Sequence, residues 1–221
     1  MKICLLTYDH PHKKTAQVYF GLRESGRHEI DFMIMPFVKR KPREVLVDHR
    51  PGSLEGCSVQ SISMRDGNKV HLYQDWESQI DKYDYFIIGG SNLIDQGFAN
   101  SGKILNCHAG LIPATRGLDT FQWDILNGLR LGNTLHIIDE HTDAGEIIYH
   151  CETPVFLEDH ILTLAERHYQ MEIWMLQNFD DLLKRPKVNE YKTNPATRRM
   201  NIATEAIMLK AFDEYKAKFA V

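Results

Sequence analysis

The opening of the chain constrains its fold more than any other stretch. An apolar run over residues 2–7 gives way to polar residues, and residues 13–25 carry apolar positions at helical spacing that stop at Gly26. A second apolar run over residues 28–35 then ends at Pro36. A strand, a crossover helix and a second strand make a parallel pair, because a twisted sheet accepts that connection with one hand only. The first 35 residues thus commit the chain to an α/β sheet.

The alternation continues. Residues 36–67 are rich in charge, Pro and Gly and read as irregular connections, with a short helix over 43–49. Residues 83–88 form an apolar strand ending at Gly89-Gly90-Ser91-Asn92, and 103–108 form another. Residues 120–127 read as a helix, and 134–139 and 146–153 as strands flanking Asp143-Ala144-Gly145. The longest helical stretch, 160–184, stops at Pro186. A basic turn, Thr197-Arg198-Arg199-Met200, precedes an amphipathic helix over 203–219. The expected fold is α/β: an open, mostly parallel Rossmann-like sheet with helices on both faces and a short C-terminal helical extension. Residues 1–186 would form the main domain and 187–221 the extension. Ligands of such sheets sit outside the carboxyl ends of the strands, at a switch point, and three loops here follow strands.

Hydrophobic residues at 43% and charged residues at 25% describe a globular chain, and the net charge of −4 gives no basic footprint for nucleic acid. No apolar run reaches the roughly 18 residues of a membrane span, and the first strand is too short for a signal peptide. Cys4, Cys57, Cys107 and Cys151 show neither paired nor metal-type spacing, so buried free thiols and a reducing cytoplasm are expected. No metal site is expected. The pair His10 and His12 is interrupted by Pro11 and is followed by no further ligands at metal spacing.

Chemistry concentrates around residue 106. Alternate strand residues face one side, so Asn106 and His108 converge while Cys107 points away. Asp143 follows at a turn thirty-five residues after His108. An amide donor for a developing oxyanion, a titratable base and an acid to orient it are the parts acyl transfer needs.

The order of motifs from residue 83 to about 153 resembles the formyltransferase family, which uses 10-formyltetrahydrofolate as formyl donor. The matching parts are Asn106-Cys107-His108, Leu111-Ile112-Pro113, Arg116-Gly117, the helix through Trp123, and Asp143-Ala144-Gly145. The resemblance implies a catalytic triad of Asn106, His108 and Asp143, with Asp143 and His108 holding opposite charge. It also implies a folate pocket between two loops. One carries Ile88, Gly89, Gly90, Asn92, Leu93 and Ile94, and the other Asp139, Glu140, His141 and Thr142. The glycines would let backbone approach a flat ring.

Three branches of the family differ in acceptor. A methionyl-tRNA branch carries a further basic domain, which 221 residues do not accommodate. A glycinamide ribonucleotide branch cradles phosphate in a glycine-rich loop after the first strand. Here Thr7-Tyr8-Asp9-His10-Pro11-His12 holds no glycine, so phosphate would fall to His12, Lys13 or Lys14. A sugar branch shares the Arg-Gly turn, the Trp and the short extension, and is the reading adopted. The acceptor is then the amine of a nucleotide-linked 4-amino-4,6-dideoxy sugar destined for a surface glycan, with Arg116, His10 and Lys13 as substrate contacts. A non-catalytic folate or nucleotide-sugar binding module is the alternative from another class. His136 reads as a core or sheet residue, residues 36–67 as the place of acceptor recognition, and the last helix as a route to a homodimer.

Overall fold

The computed structural model describes residues 1–38, 43–141 and 143–221. Its strands are β1 (Lys2–Tyr8), β2 (Glu29–Met35), β3 (Val70–Leu72), β4 (Tyr85–Ile88), β5 (Ile104–His108), β6 (Gly132–Ile137) and β7 (Glu146–Glu152). Its helices are α1 (Lys13–Glu24), α2 (Val59–Asp66), α3 (Trp76–Gln79), α4 (Gln96–Ala99), α5 (Thr120–Asn127), α6 (Ile161–Gln177), α7 (Phe179–Lys184) and α8 (Ile202–Phe219). One sheet takes the strands in the order β3-β2-β1-β4-β5-β6-β7. Strands β1 to β5 pair in parallel, and β6 runs antiparallel to both β5 and β7. The chain leaves β1 towards β2 and β3, then returns to place β4 on the other side of β1. The crevice between the carboxyl ends of β1 and β4 is therefore the topological switch point.

Alternation along β1 feeds two cores, one per face. Ile3 and Leu5 join Val18 and Leu22 of α1 and Ile173 of α6. Cys4 and Leu6 join Phe86 and Phe98, with Trp76 packed against them. Each such buried side chain contributes roughly 1.5–3 kcal/mol. Cys4 and Cys107 are buried free thiols, as their apolar surroundings predict. Among the described residues no helix is long and apolar enough to cross a membrane.

The C-terminal segment is laced to the rest. Met208, Phe212 and Tyr215 of α8 pack with Phe121 and Ile125 of α5, so that apolar face is used within the chain. Short parallel bridges join Lys187 to Tyr149 and Thr197 to Gly117.

Two sequence expectations are corrected. Residues 43–49 form no helix. The Glu205 carboxylate of α8 accepts the Leu46 and Val47 amides at 2.7 and 3.3 Å, and Arg43 donates to Asp119 and to Met200 O, so long-range bonds replace local ones. The helix of this region is α2, begun by Ser58, which accepts from the Ser61 amide at 3.1 Å, and closed by left-handed Gly67. The long 160–184 stretch divides at Asn178, whose side chain donates to Trp174 O at 2.8 Å.

Candidate active site

A cavity of about 640 Å³ opens at the carboxyl ends of β1, β4 and β5, at the switch point. Strand alternation on β5 puts Cys107 into the opposite core, its Sγ 3.8 Å from Met175 Sδ, while Asn106 and His108 share the other face. Asn106 sits across from His136 in the β5–β6 register, and its Nδ2 lies 3.2 Å from His136 Nε2. Burial, aided by neighbouring His108, pushes the His136 imidazole down to about 4, so it is neutral and can accept that hydrogen bond. The amide has two N–H groups, which leaves the second for a ligand. His136 is thus the sheet residue expected, with a polar partner that orients Asn106.

His108 Nδ1 lies 3.3 Å from Asp143 Oδ1, and the other carboxylate oxygen accepts the Gly117 amide at 2.9 Å. Asp143 holds this place in a left-handed conformation, φ 49°. The expectation of opposite charges on the pair is corrected on the histidine side. His108 is only 8% exposed, and burial lowers its pKa more than Asp143 raises it. Burial thus favours the neutral imidazole, whose Nε2 is itself buried.

Lys13, Lys14, Arg43, Arg50 and Arg199 line the cavity, together with Asp48, Asp119, Glu166 and Glu172. Lys13 and Arg50 flank the Tyr169 ring, at 5.4 and 5.5 Å from its centroid, and Arg50 and Lys14 each reach Glu172 at 2.5 Å. Burial pushes the Glu172 carboxyl up, yet Arg50 and Lys14 outweigh it and bring the group to about 2. The cavity histidines respond to the same field. Burial, with Lys14 and Arg50 adding to it, takes His12 down to about 4, and burial with Arg50 takes His49 to about 4 and His168 to about 3. Four of the five cations are paired with cavity carboxylates, Arg43 and Arg199 with Asp119 and Lys14 and Arg50 with Glu172, and Lys13 alone has no carboxylate partner among the described residues.

The residues expected to bind ligands divide. Ile88, Gly89, Gly90 and Lys13 line the cavity. Asn92, Leu93, Ile94, Asp139, Glu140 and His141 do not, and Thr142 lies outside the described residues. The two loops they belong to are tied through α4, since Glu140 accepts from the side chains of Gln96 and Asn100. Arg116 donates to Asn194 O at 3.1 Å and His10 rests on Phe37, so neither reaches the cavity wall. Packing gives Gly89 and Gly90 a second reason. A Cβ on Gly89 would stand 2.6 Å from Thr15 Oγ1 of α1, and one on Gly90 2.7 Å from the Tyr8 ring at the end of β1.

Sequence reasoning passed over Arg43, Arg50, His49, His168, Tyr169, Glu172 and Arg199. One signal was present: Glu172 and His168 are four apart on the apolar face of α6, and a carboxylate that interrupts such a face is seldom buried unless paired. The arginines of irregular segments carry no comparable pattern.

Known proteins share part of the sequence and the fold. Residues 87–179 match the model of the formyl transferase family. A phosphoribosylglycinamide formyltransferase of Haemophilus influenzae is 38% identical over 73 residues, covering 33% of this chain and 34% of its own length. The chain thus spans about a third or less of the first curated relatives it matches. A sugar N-formyltransferase from Shewanella sp FDAARGOS_354 has the same fold, with TM-score 0.63, 18% identity, and coverage of 96% of this chain and 87% of that one. So does the formyltransferase PseJ from Anoxybacillus kamchatkensis, solved with UDP-4,6-dideoxy-4-formamido-L-AltNAc and tetrahydrofolate. Its TM-score is 0.55 at 19% identity, covering 99% of this chain and 97% of that one. From the middle of β4 to the start of α7, this chain is similar to the formyl transferase family.

Proposed function

We propose that the protein transfers a formyl group from 10-formyltetrahydrofolate to the amine of a nucleotide-linked amino sugar. The observation that carries this reading is one cavity lined by Asn106 and His108, with Asp143 3.3 Å from His108, and by Lys13. The neutral acceptor amine attacks the formyl carbon, a C–N bond forms, and the carbonyl electron pair moves to oxygen. The free N–H of Asn106 donates to that oxyanion, a contact whose removal typically costs about 10²–10³ in rate. Asp143, oriented by neutral His108 and by the Gly117 amide, takes the amine proton directly or through a water. Collapse of the intermediate breaks the bond to the folate nitrogen, which leaves with a proton. We assign the folate ring to the loops at 88–94 and 139–141: Ile88 to Gly90 line the cavity with Asn106 and His108, and Leu93 is 97% exposed.

The cations support a diphosphate-bearing acceptor, since Lys13 has no carboxylate partner among the described residues. A second reading keeps the chemistry and changes the acceptor to glycinamide ribonucleotide, favoured by the match to the Haemophilus enzyme. Loss of the formyl group from 10-formyltetrahydrofolate, followed by absorbance against a panel of nucleotide-linked 4-amino-4,6-dideoxy sugars and glycinamide ribonucleotide, separates the two. Turnover with an amino sugar alone supports the first reading. Turnover with glycinamide ribonucleotide alone replaces it, and failure to bind the folate ends both.

A further inference from the structure

The groups that hold Asp143 extend beyond the cavity. Gly117 donates its amide to Asp143 Oδ2 at 2.9 Å while Asp143 Oδ1 faces His108. Gly117 in turn lies in a loop bonded to the C-terminal segment. Thr197 donates its amide to Arg116 O at 2.7 Å, and its carbonyl accepts the Leu118 amide at 3.1 Å. The Thr197 hydroxyl lies 2.9 Å from Arg116 O and 2.7 Å from Leu118 O, able to donate to either. Three residues earlier, Asn194 donates to Ala114 O at 3.0 Å and accepts from Arg116.

The contact is also steric. Gly117 has φ +96°, a conformation that side chains rarely adopt, and a Cβ there would lie 2.8 Å from Thr197 N and closer still to its carbonyl oxygen. Residues 116 and 118 are clamped on either side by one residue, so the amide between them points in a single direction, towards Asp143.

We propose that Thr197 is a positioning residue for the reaction: it fixes the Gly117 amide on Asp143, and so fixes Asp143 against His108. The role rests on the proposed function, in which Asp143 takes the amine proton. It draws on a residue outside the stretch 87–179 that matches the family. A structural clamp would affect stability alone, whereas a positioning residue changes the reacting geometry while both ligands still bind.

The test uses the full chain with Thr197→Val, which keeps shape and backbone bonds but removes the hydroxyl, and Thr197→Ser, which restores it. Thr197→Val is expected to lower kcat about tenfold with KM for folate and acceptor within twofold, and Thr197→Ser to recover most of the loss. A second readout needs no turnover. The Gly117 amide proton, bonded to a carboxylate, should resonate downfield in ¹H–¹⁵N spectra of the wild type and of Thr197→Ser. It should move upfield and lose hydrogen-exchange protection in Thr197→Val, as in an Asp143→Asn control. A Gly117 signal unchanged in folded Thr197→Val would overturn the proposal, as would equal kcat in wild type and Thr197→Val. If the wild type turned over no acceptor, the proposed function would fail while the amide shift still decided the clamp.

Discussion

Asp124 is fully buried on α5, with the Thr115 hydroxyl donating to its Oδ1 at 2.6 Å and no partner at Oδ2 among the described residues. Burial without a countercharge lifts its carboxyl from 3.8 to about 8, and the Thr115 bond takes back part of that rise. The folded protein therefore keeps this proton across the range in which the unfolded chain has lost it. Because the unfolded state binds fewer protons there, stability falls as pH rises from about 4 to about 8, at roughly 1.4 kcal/mol per pH unit. The accumulated loss is about 4 kcal/mol by pH 7. Asp124→Asn copies the shape of the neutral acid and does not titrate, but strands an amide N–H at a cost of about 1–3 kcal/mol. The two curves should cross: the variant weaker than wild type at pH 4.5, and more stable by about 1–3 kcal/mol at pH 7 and by more at pH 8. Urea unfolding of both proteins at pH 4.5, 6, 7 and 8 reads this out, because the difference cancels every other titrating group. A difference that stays flat with pH, or a variant less stable at pH 8, would refute the reasoning.

Three further outcomes are expected. Asn106→Ala should lower kcat by about 10²–10³ with folate affinity within a few-fold, and joint loss of binding and turnover in a folded variant would remove its role as oxyanion donor. The His108 imidazole should titrate below the ordinary value near 6.5 in ¹⁵N spectra, since burial outweighs Asp143; a midpoint above 7 would show a charged pair. Lys13→Ala should raise KM for a nucleotide-linked acceptor about tenfold, with a weaker salt dependence and unchanged folate KM, and an unaltered acceptor KM would place phosphate elsewhere.

Much of this was legible in the order of residues. Strand period, helix period and the stops at Gly26 and Pro36 are local signals, and β1, α1 and β2 follow them within a residue or two. Asn106 and His108 were readable for the same reason, since two-residue alternation on a strand fixes their shared face. The pattern failed where distant groups decide. Residues 43–50 take their course from Glu205 and Asp119, over 70 positions away, which no local periodicity reports. Arg116 had the right chemistry and neighbourhood, yet Asn194 claims its guanidinium. The neutral state of His108 was hidden too, because a sequence shows a partner's charge and not the water that folding removes.

The Lys and Arg residues that line the cavity, among those described, all lie outside residues 87–179, whereas Asn106, His108, Gly117 and Asp143 all lie within them. In the proposed function, reaction and acceptor recognition are thus written in separate passages of the chain that meet only on folding, so substitutions at 13, 14, 43, 50 or 199 would retune the acceptor while leaving the transferring groups in place.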